Sequence, residues 1–280
     1  MIRTMTPRGS GTRIRKNLRL ATGVLRLLPS TLIIGAQKGG STSLFDYLTE
    51  HPLVIPSVKR EVGFFDTRFA KGVRWYRSHF PTVFERVRRP GIISLEASTG
   101  YLSHPHTPGR IAALLPRVKL IAVLRNPIDR AYSHYHHTVR LGHEPLPFEA
   151  AIAKEEERLG AILERIAVDE DYNDRTTQYY SYLSRGIYLD QLQNWYRTFR
   201  SEQLLILRSE DLFADPDGVF QKVLEFLGLP EFHLESYGAS NSGRYGREEM
   251  TERTREQLRE FFEPHNQRLY RFLGRDFGWA

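Results

Sequence analysis

Thr31-Leu32-Ile33-Ile34-Gly35-Ala36-Gln37-Lys38-Gly39-Gly40-Ser41-Thr42-Ser43 decides how this chain is read. The apolar run at 31–35, bounded by Pro29 and a glycine, has the pattern of a strand buried on both faces of a parallel sheet. A helix is expected from Ser41 to Glu50, stopped at His51-Pro52 because the residue before a proline avoids helical geometry. Between strand and helix lies a glycine-rich loop. Such a loop aims backbone N–H groups and a helix N-terminus at an anion, and its glycines let the backbone come close. Ser41, Thr42 and Ser43 add hydroxyl donors, and Lys38 adds a mobile positive charge. Gly35 and Gly40 keep the spacing of a Walker A loop, but a serine follows Gly40 directly and the lysine sits inside the loop. The lysine that grips β- and γ-phosphates is therefore missing, and a smaller phosphoanhydride suits the loop better.

Further strands are expected at 92–95, 118–124 and 204–207. The second of these runs into a helix opening at Asn126-Pro127, with proline in its first turn. Helices are expected at 217–227 and 251–273, and the charge-rich segment 149–174 reads as a helical excursion over the core. Strands alternating with helices predict an α/β fold, a central parallel β-sheet flanked by helices, as one domain over residues 31–280.

The chain has 280 residues, no cysteine and a formal net charge of +7. The absence of cysteine excludes a disulfide framework, thiolate metal sites and a cysteine nucleophile. Arg3, Arg8, Arg13, Arg15, Lys16, Arg19 and Arg26 precede the first acidic residue, Asp46, leaving 33 basic against 33 acidic residues from position 31 onward. The excess charge thus belongs to an N-terminal extension, residues 1–30, and does not indicate a nucleic-acid binder. Within it Ile14, Leu18, Ala21, Leu25 and Leu28 recur at helical spacing. Residues 13–28 are then either a basic amphipathic helix touching an anionic membrane or polyanion, or a helix packed on its own domain with its basic residues in solvent. Arg26 interrupts the only candidate signal-peptide core, and no apolar run approaches the roughly 18 residues of a membrane span.

The loop and four later segments, in order, resemble sulfotransferases that use 3′-phosphoadenosine 5′-phosphosulfate (PAPS), nearest the heparan-sulfate and bacterial carbohydrate branch. The segments are Arg60-Glu61-Val62-Gly63-Phe64-Phe65-Asp66, Leu95-Glu96-Ala97-Ser98-Thr99-Gly100-Tyr101-Leu102, Val123-Leu124-Arg125-Asn126-Pro127 with Arg130 and Ser133, and Ser242-Gly243-Arg244 with the C-terminal tail. The resemblance implies a P-loop-like three-layer fold, PAPS as donor, PAP as product and no metal. It also implies a carbohydrate, glycolipid or other hydroxyl-bearing acceptor. The family's Golgi members carry an upstream anchor and disulfides. A first strand near Thr31 and no cysteines predict a cytoplasmic enzyme here, membrane-peripheral at most.

By that resemblance Lys38 stabilises the leaving phosphate and bridging oxygen, and Gly39, Gly40, Ser41, Thr42 and Ser43 cradle the 5′-phosphosulfate. Arg125 and Ser133, eight residues apart, can converge at one sheet edge, and by resemblance they hold the 3′-phosphate. Arg130 is either structural or a ligand. Ser242, Gly243 and Arg244 are expected to wrap the nucleotide. Glu61 is expected as general base, with His104, His106, His134, His136 and His137 as rivals. On the acceptor side stand Arg60, Glu96 and Trp75, although Glu96 can equally be a buried structural acid and Trp75 a core residue. Lys59, Arg60, Arg68, Lys71, Arg74 and Arg77 either bind an acidic acceptor or form a solvated face. Ala97 stands where heparan-sulfate enzymes have a lysine, which puts a two-lysine mechanism in doubt. The competing readings are a P-loop small-molecule kinase and a non-catalytic polyanion- or membrane-binding protein.

Overall fold

The computed structural model describes residues 10–238 and 250–279, with side chains from Arg15 onward. Helix α1 (Ser10–Ala21) passes through a 3-10 turn, Gly23–Leu25, to β1 (Thr31–Gly35) and α2 (Ser41–Glu50). Next come β2 (Val54–Pro56) and three short helices, α3 (Phe64–Thr67), α4 (Gly72–Arg77) and α5 (Phe84–Arg88). β3 (Ile93–Ala97) leads to α6 (Thr107–Leu114), and β4 (Lys119–Leu124) leads to α7 (Pro127–Arg140). Four helices, α8 (Phe148–Ala153), α9 (Glu155–Val168), α10 (Thr176–Tyr180) and α11 (Tyr188–Thr198), intervene before β5 (Leu204–Arg208). α12 (Ser209–Ala214), α13 (Pro216–Leu227) and α14 (Glu252–Leu273) follow.

The sheet runs β2-β3-β1-β4-β5, and every pairing is parallel. Successive side chains point to opposite faces. Leu32, Ile34, Leu120, Ala122 and Leu124 face one cluster with Tyr76, Ile111, Leu192, Trp195 and Leu269. Ile33, Ile121 and Val123 face another with Leu44, Leu48, Phe220 and Val223. Helices α4, α6, α11 and α14 therefore cover one face, and α2 and α13 the other, giving three layers. Each fully buried aliphatic or aromatic side chain here contributes about 1.5–3 kcal/mol. A third cluster joins α7 to α8 and α14 through Ile128, Ala131, Phe148, Leu258 and Phe262.

The four expected strands are present. β2 is additional: three residues ending in Pro56 at the sheet edge, too short and too proline-bound to show a strand pattern. Asn126 caps α7 through its side chain, which accepts from the Ile128 N–H at 3.0 Å, with Pro127 in the first turn.

The N-terminal segment departs from the expectation in two ways. The helix stops at Ala21, because Gly23 packs so closely on α4 that a Cβ there would lie 2.7 Å from the Arg74 carbonyl oxygen. One of its arginines also turns in where leucines were expected, while Arg15 and Lys16 stay exposed. Arg19 turns inward to donate to the carbonyls of Ser78 (2.7 Å) and Phe80 (2.8 Å), and Arg26 to Phe80 (2.9 Å). Arg74 donates in return to Leu20 (3.0 Å) and Ala21 (2.9 Å), and Arg77 to Arg26 (2.9 Å). Carbonyls left open where helices end recruit these guanidinium donors. Leu18, Leu20, Val24 and Leu25 are left facing out.

The loop after β1 is stitched to β4. Ala36 N donates to Val123 O at 2.8 Å, and Gly39 N donates to Ala36 O at 3.0 Å. A Cβ on Gly39 would lie 2.2 Å from Val123 O, so no other residue fits. We predict that Gly39→Ala lowers stability by about 1–3 kcal/mol. Urea denaturation reads this directly, and an unchanged midpoint would show that loop and strand do not pack this way.

Candidate active site

The carboxyl ends of β1, β3 and β4 open on one cleft of about 1060 Å³, the position where parallel sheets bind ligands. Lys38, Gly40, Ser41 and Thr42 of the first loop line it. Lys38 and Gly40 are both left-handed, at φ 69° and 101°, which turns the loop around the helix N-terminus. Gly39 faces Val123 instead, and Ser43 is fully buried and bonded to Tyr47, so these two support the loop from behind.

Arg125 leaves β4 toward the loop, and its Nη1 donates to the Lys38 carbonyl at 3.4 Å. Ser133 joins it in the cleft, as the eight-residue spacing implied. Asp129, Ser133, His137 and Arg140 recur at near-helical intervals and line the cleft with one face of α7. Among the described residues, Lys38, Arg125 and Arg140 have no carboxylate partner. Burial, then Arg140, then Arg125 push the Lys38 pKa down. Uncompensated cations around a half-buried lysine make a site for a multiply charged anion.

Glu61 opens into the same cleft and accepts from Thr99 N–H at 3.2 Å and Thr99 Oγ1 at 3.3 Å. Desolvation by surrounding protein raises its pKa. The two Thr99 hydrogen bonds oppose the shift and Asp66 adds to it. Asp66, which received no role from the sequence, also lines the cleft and is likewise raised by burial. Arg185 faces both carboxylates and donates to Gln37 Oε1 at 2.6 Å.

Two expected acceptor residues lie elsewhere. Trp75 does not line the cleft. It packs edge-on to His79 at 4.4 Å and 6.3 Å from Phe64, so it belongs to the core margin. Glu96 is completely buried in β3, on the sheet face opposite Leu95 and Ala97, which pack in the other cluster. The hydroxyls of Tyr76, Ser98 (2.7 Å) and Tyr101 (2.7 Å) donate to it. Ser98 Oγ and Tyr101 OH then accept from Gly63 N (2.9 Å) and Phe64 N (2.8 Å). Glu96 thereby positions the segment that carries Glu61. Arg60 does line the cleft, paired with Asp46 and lying 5.1 Å over the Phe45 ring. Ser242, Gly243 and Arg244 lie outside the described residues.

Of the rival histidines, His137 alone lines the main cleft, with Nδ1 2.9 Å from Arg140 Nη2. His134 is fully buried against the Gln178 carbonyl, and His104 borders a side pocket of about 110 Å³, where burial lowers its pKa to about 3. Arg130 is fully buried, donates to the Tyr182 carbonyl and is not among the cleft's lining residues. The basic cluster divides: Lys59, Arg60 and Arg68 line the cleft, whereas Arg74 and Arg77 bind the N-terminal segment. Sequence reasoning missed Arg140, Arg175 and Arg185 in the cleft. Arg140 was detectable from its helical register with Ser133, but Arg175 and Arg185 carry no local signal. Among the described residues, no cluster of three or more His, Asp or Glu side chains could hold a metal, and no helix is long and apolar enough to cross a membrane.

A family model described as "Sulfotransferase domain" matches residues 28–242. The chain belongs to the sulfotransferase family. It is similar to heparan sulfate glucosamine 3-O-sulfotransferase 3A1 of Mus musculus, with 31% identity over 274 residues, 90% of this chain and 64% of that protein. It thus spans just under two thirds of that relative's length. It is similar to heparan sulfate glucosamine 3-O-sulfotransferase 6 of Homo sapiens at 32% identity, covering 94% of this chain and 77% of that protein. Among solved structures, a sulfotransferase from Alicyclobacillus acidocaldarius matches with a TM-score of 0.69 and 29% identity, over 90% of this chain and 99% of that one. Membership of this family sets the kinase reading aside.

Burial raises the Glu96 carboxyl from 4.5 to about 7, despite its three hydroxyl donors. The folded state keeps a proton that the unfolded state releases. This contribution to stability is therefore fully present below about pH 4.5 and is lost as pH rises through about 7. The shift corresponds to roughly 3 kcal/mol. We predict that urea-derived stabilities of wild type and Glu96→Gln, compared across this range, differ by a pH-dependent amount of that order. A constant difference would show that Glu96 does not titrate there.

Proposed function

We propose that this sulfotransferase moves the sulfuryl group of PAPS to a hydroxyl or amine of an anionic, carbohydrate-like acceptor. The observation that carries this reading is the meeting of Lys38, Glu61, and Arg125 with Ser133 in one cleft, from three separate parts of the chain. The residues present fit such a donor: a left-handed glycine loop, a helix N-terminus and cations without carboxylate partners. The donor supplies a sulfuryl group on a phosphosulfate anhydride.

In this reading the loop N–H groups, Ser41 and Thr42 bind the 5′-phosphate end, and Arg125 with Ser133 binds the 3′-phosphate. Glu61, its carboxylate oriented by Thr99, takes the acceptor proton as the new bond to sulfur forms. Lys38 neutralises charge on the bridging oxygen as the old S–O bond breaks and PAP leaves. Positioning and charge stabilisation carry a loose, in-line transfer of this kind. Lys59, Arg60, Arg68 and Arg175 supply positive charge for the acceptor. The relatives' names, which specify heparan sulfate, support an anionic glycan. The absence of a lysine at Ala97 leaves Lys38 and the arginines to stabilise the transferring group.

We predict that Glu61→Gln lowers kcat by about 10²-fold or more while PAP binding is retained. In the wild type the acid limb of kcat/KM should lie above the ordinary glutamate range, because the base must be deprotonated and its pKa is raised. Near-normal turnover by Glu61→Gln with a verified acceptor rules Glu61 out. Arg125→Ala should weaken PAP binding roughly 10–100-fold by calorimetry. Unchanged affinity removes the 3′-phosphate assignment.

A further inference from the structure

We propose that the end of α1, the Gly23–Leu25 turn and α5 together form a docking surface for an anionic phospholipid membrane. A helix serving only its own domain turns leucines to the core and guanidinium groups to water. Here Leu18 faces water and Arg19 the domain, while Arg15 and Lys16 stay in solvent. Arg19 and Arg26 point inward onto the carbonyls of Ser78 and Phe80. Leu18, Val24 and Leu25 stand out at 61%, 66% and 50% exposure. Backbone pairing places α5 alongside: Val83 N donates to Leu25 O at 2.9 Å, and Leu27 N donates to Pro81 O at 2.9 Å. Phe84 and Val87, one turn apart on α5, extend the apolar strip at 64% and 79% exposure.

The strip is rimmed by cations. Arg15 and Lys16 are exposed on α1, and Arg86, Arg88 and Arg89 are exposed in and just after α5. The acid of α5, Glu85, is already paired with Arg88 and Arg89. The sequence ahead of α1 adds Arg3 and Arg8 and no acid. Apolar side chains within a basic rim match the boundary between anionic headgroups and acyl chains. A second copy fits poorly, because a two-fold contact would set the same cations against each other. None of these residues lines the sulfuryl-transfer cleft, so the surface does not rest on the proposed reaction.

The test uses the full chain and phosphatidylcholine vesicles with or without phosphatidylglycerol, read by flotation. The wild type should float with the anionic vesicles and not with phosphatidylcholine alone. Val24→Glu combined with Phe84→Glu should lower the bound fraction by about tenfold or more, with an unchanged thermal midpoint. Phe84→Trp should shift its emission to the blue on anionic vesicles, relative to wild type. The proposal is overturned by absence of binding to anionic vesicles, or by binding that the double variant leaves intact, which would assign it to charge alone. It is also overturned if Phe84→Glu dissociates an oligomer of the lipid-free protein in light scattering.

Discussion

Glu96 lies near the carboxyl end of β3, the strand between β1 and the edge strand β2, with no access to solvent. A carboxyl group in such a place is tolerable only with its hydrogen bonds made, and Tyr76, Ser98 and Tyr101 make them. Two of those hydroxyls pass the connection on to the backbone N–H groups of Gly63 and Phe64. The short segment that carries Glu61 and Asp66 is therefore hung from the sheet interior by polar bonds, while Phe64 and Phe65 fill the core beneath it. The placement of these two of the cleft's carboxylates depends on an acid that is not among the cleft's lining residues.

Charge shows the same division between support and contact. Beyond residue 30 the chain is formally neutral, yet the cleft gathers eight basic side chains and four acidic ones. Neutrality in sequence thus hides strong segregation in space. The excess positive charge of the first 30 residues is distributed differently again. Arg19 and Arg26 serve as hydrogen-bond donors to helix ends rather than as a field around the molecule.

The features legible in sequence were those encoded within about ten residues. The strand, loop and helix at 31–50 were readable, and so were the cap at Asn126-Pro127 and the Arg125–Ser133 pair, because local geometry dictates each. The edge strand β2 was not readable, since three residues with a terminal proline carry no periodicity. Arg185 was not either, because only the path of α10 and α11 brings it opposite Glu61. Glu96 sat in a motif beside the cleft residues Thr99 and Gly100, and Trp75 was singled out as an aromatic, but strand alternation and core packing decided where the two point. Orientation failed in part for α1 too: its period was helical, but the demand of open carbonyls for donors drew Arg19 inward and left Leu18 in solvent.

Helix α7 carries one more consequence. Its cleft-facing residues run from Asp129 to Arg140, eleven steps along a rod that rises about 1.5 Å per residue. Some 16 Å of the cleft wall is thus graduated by a single rigid element whose origin is pinned by Asn126 and Pro127. The interval between the groups read at its two ends is metered by helical pitch, not by loop slack. One inserted residue would rotate every later mark by about 100° and erase the scale.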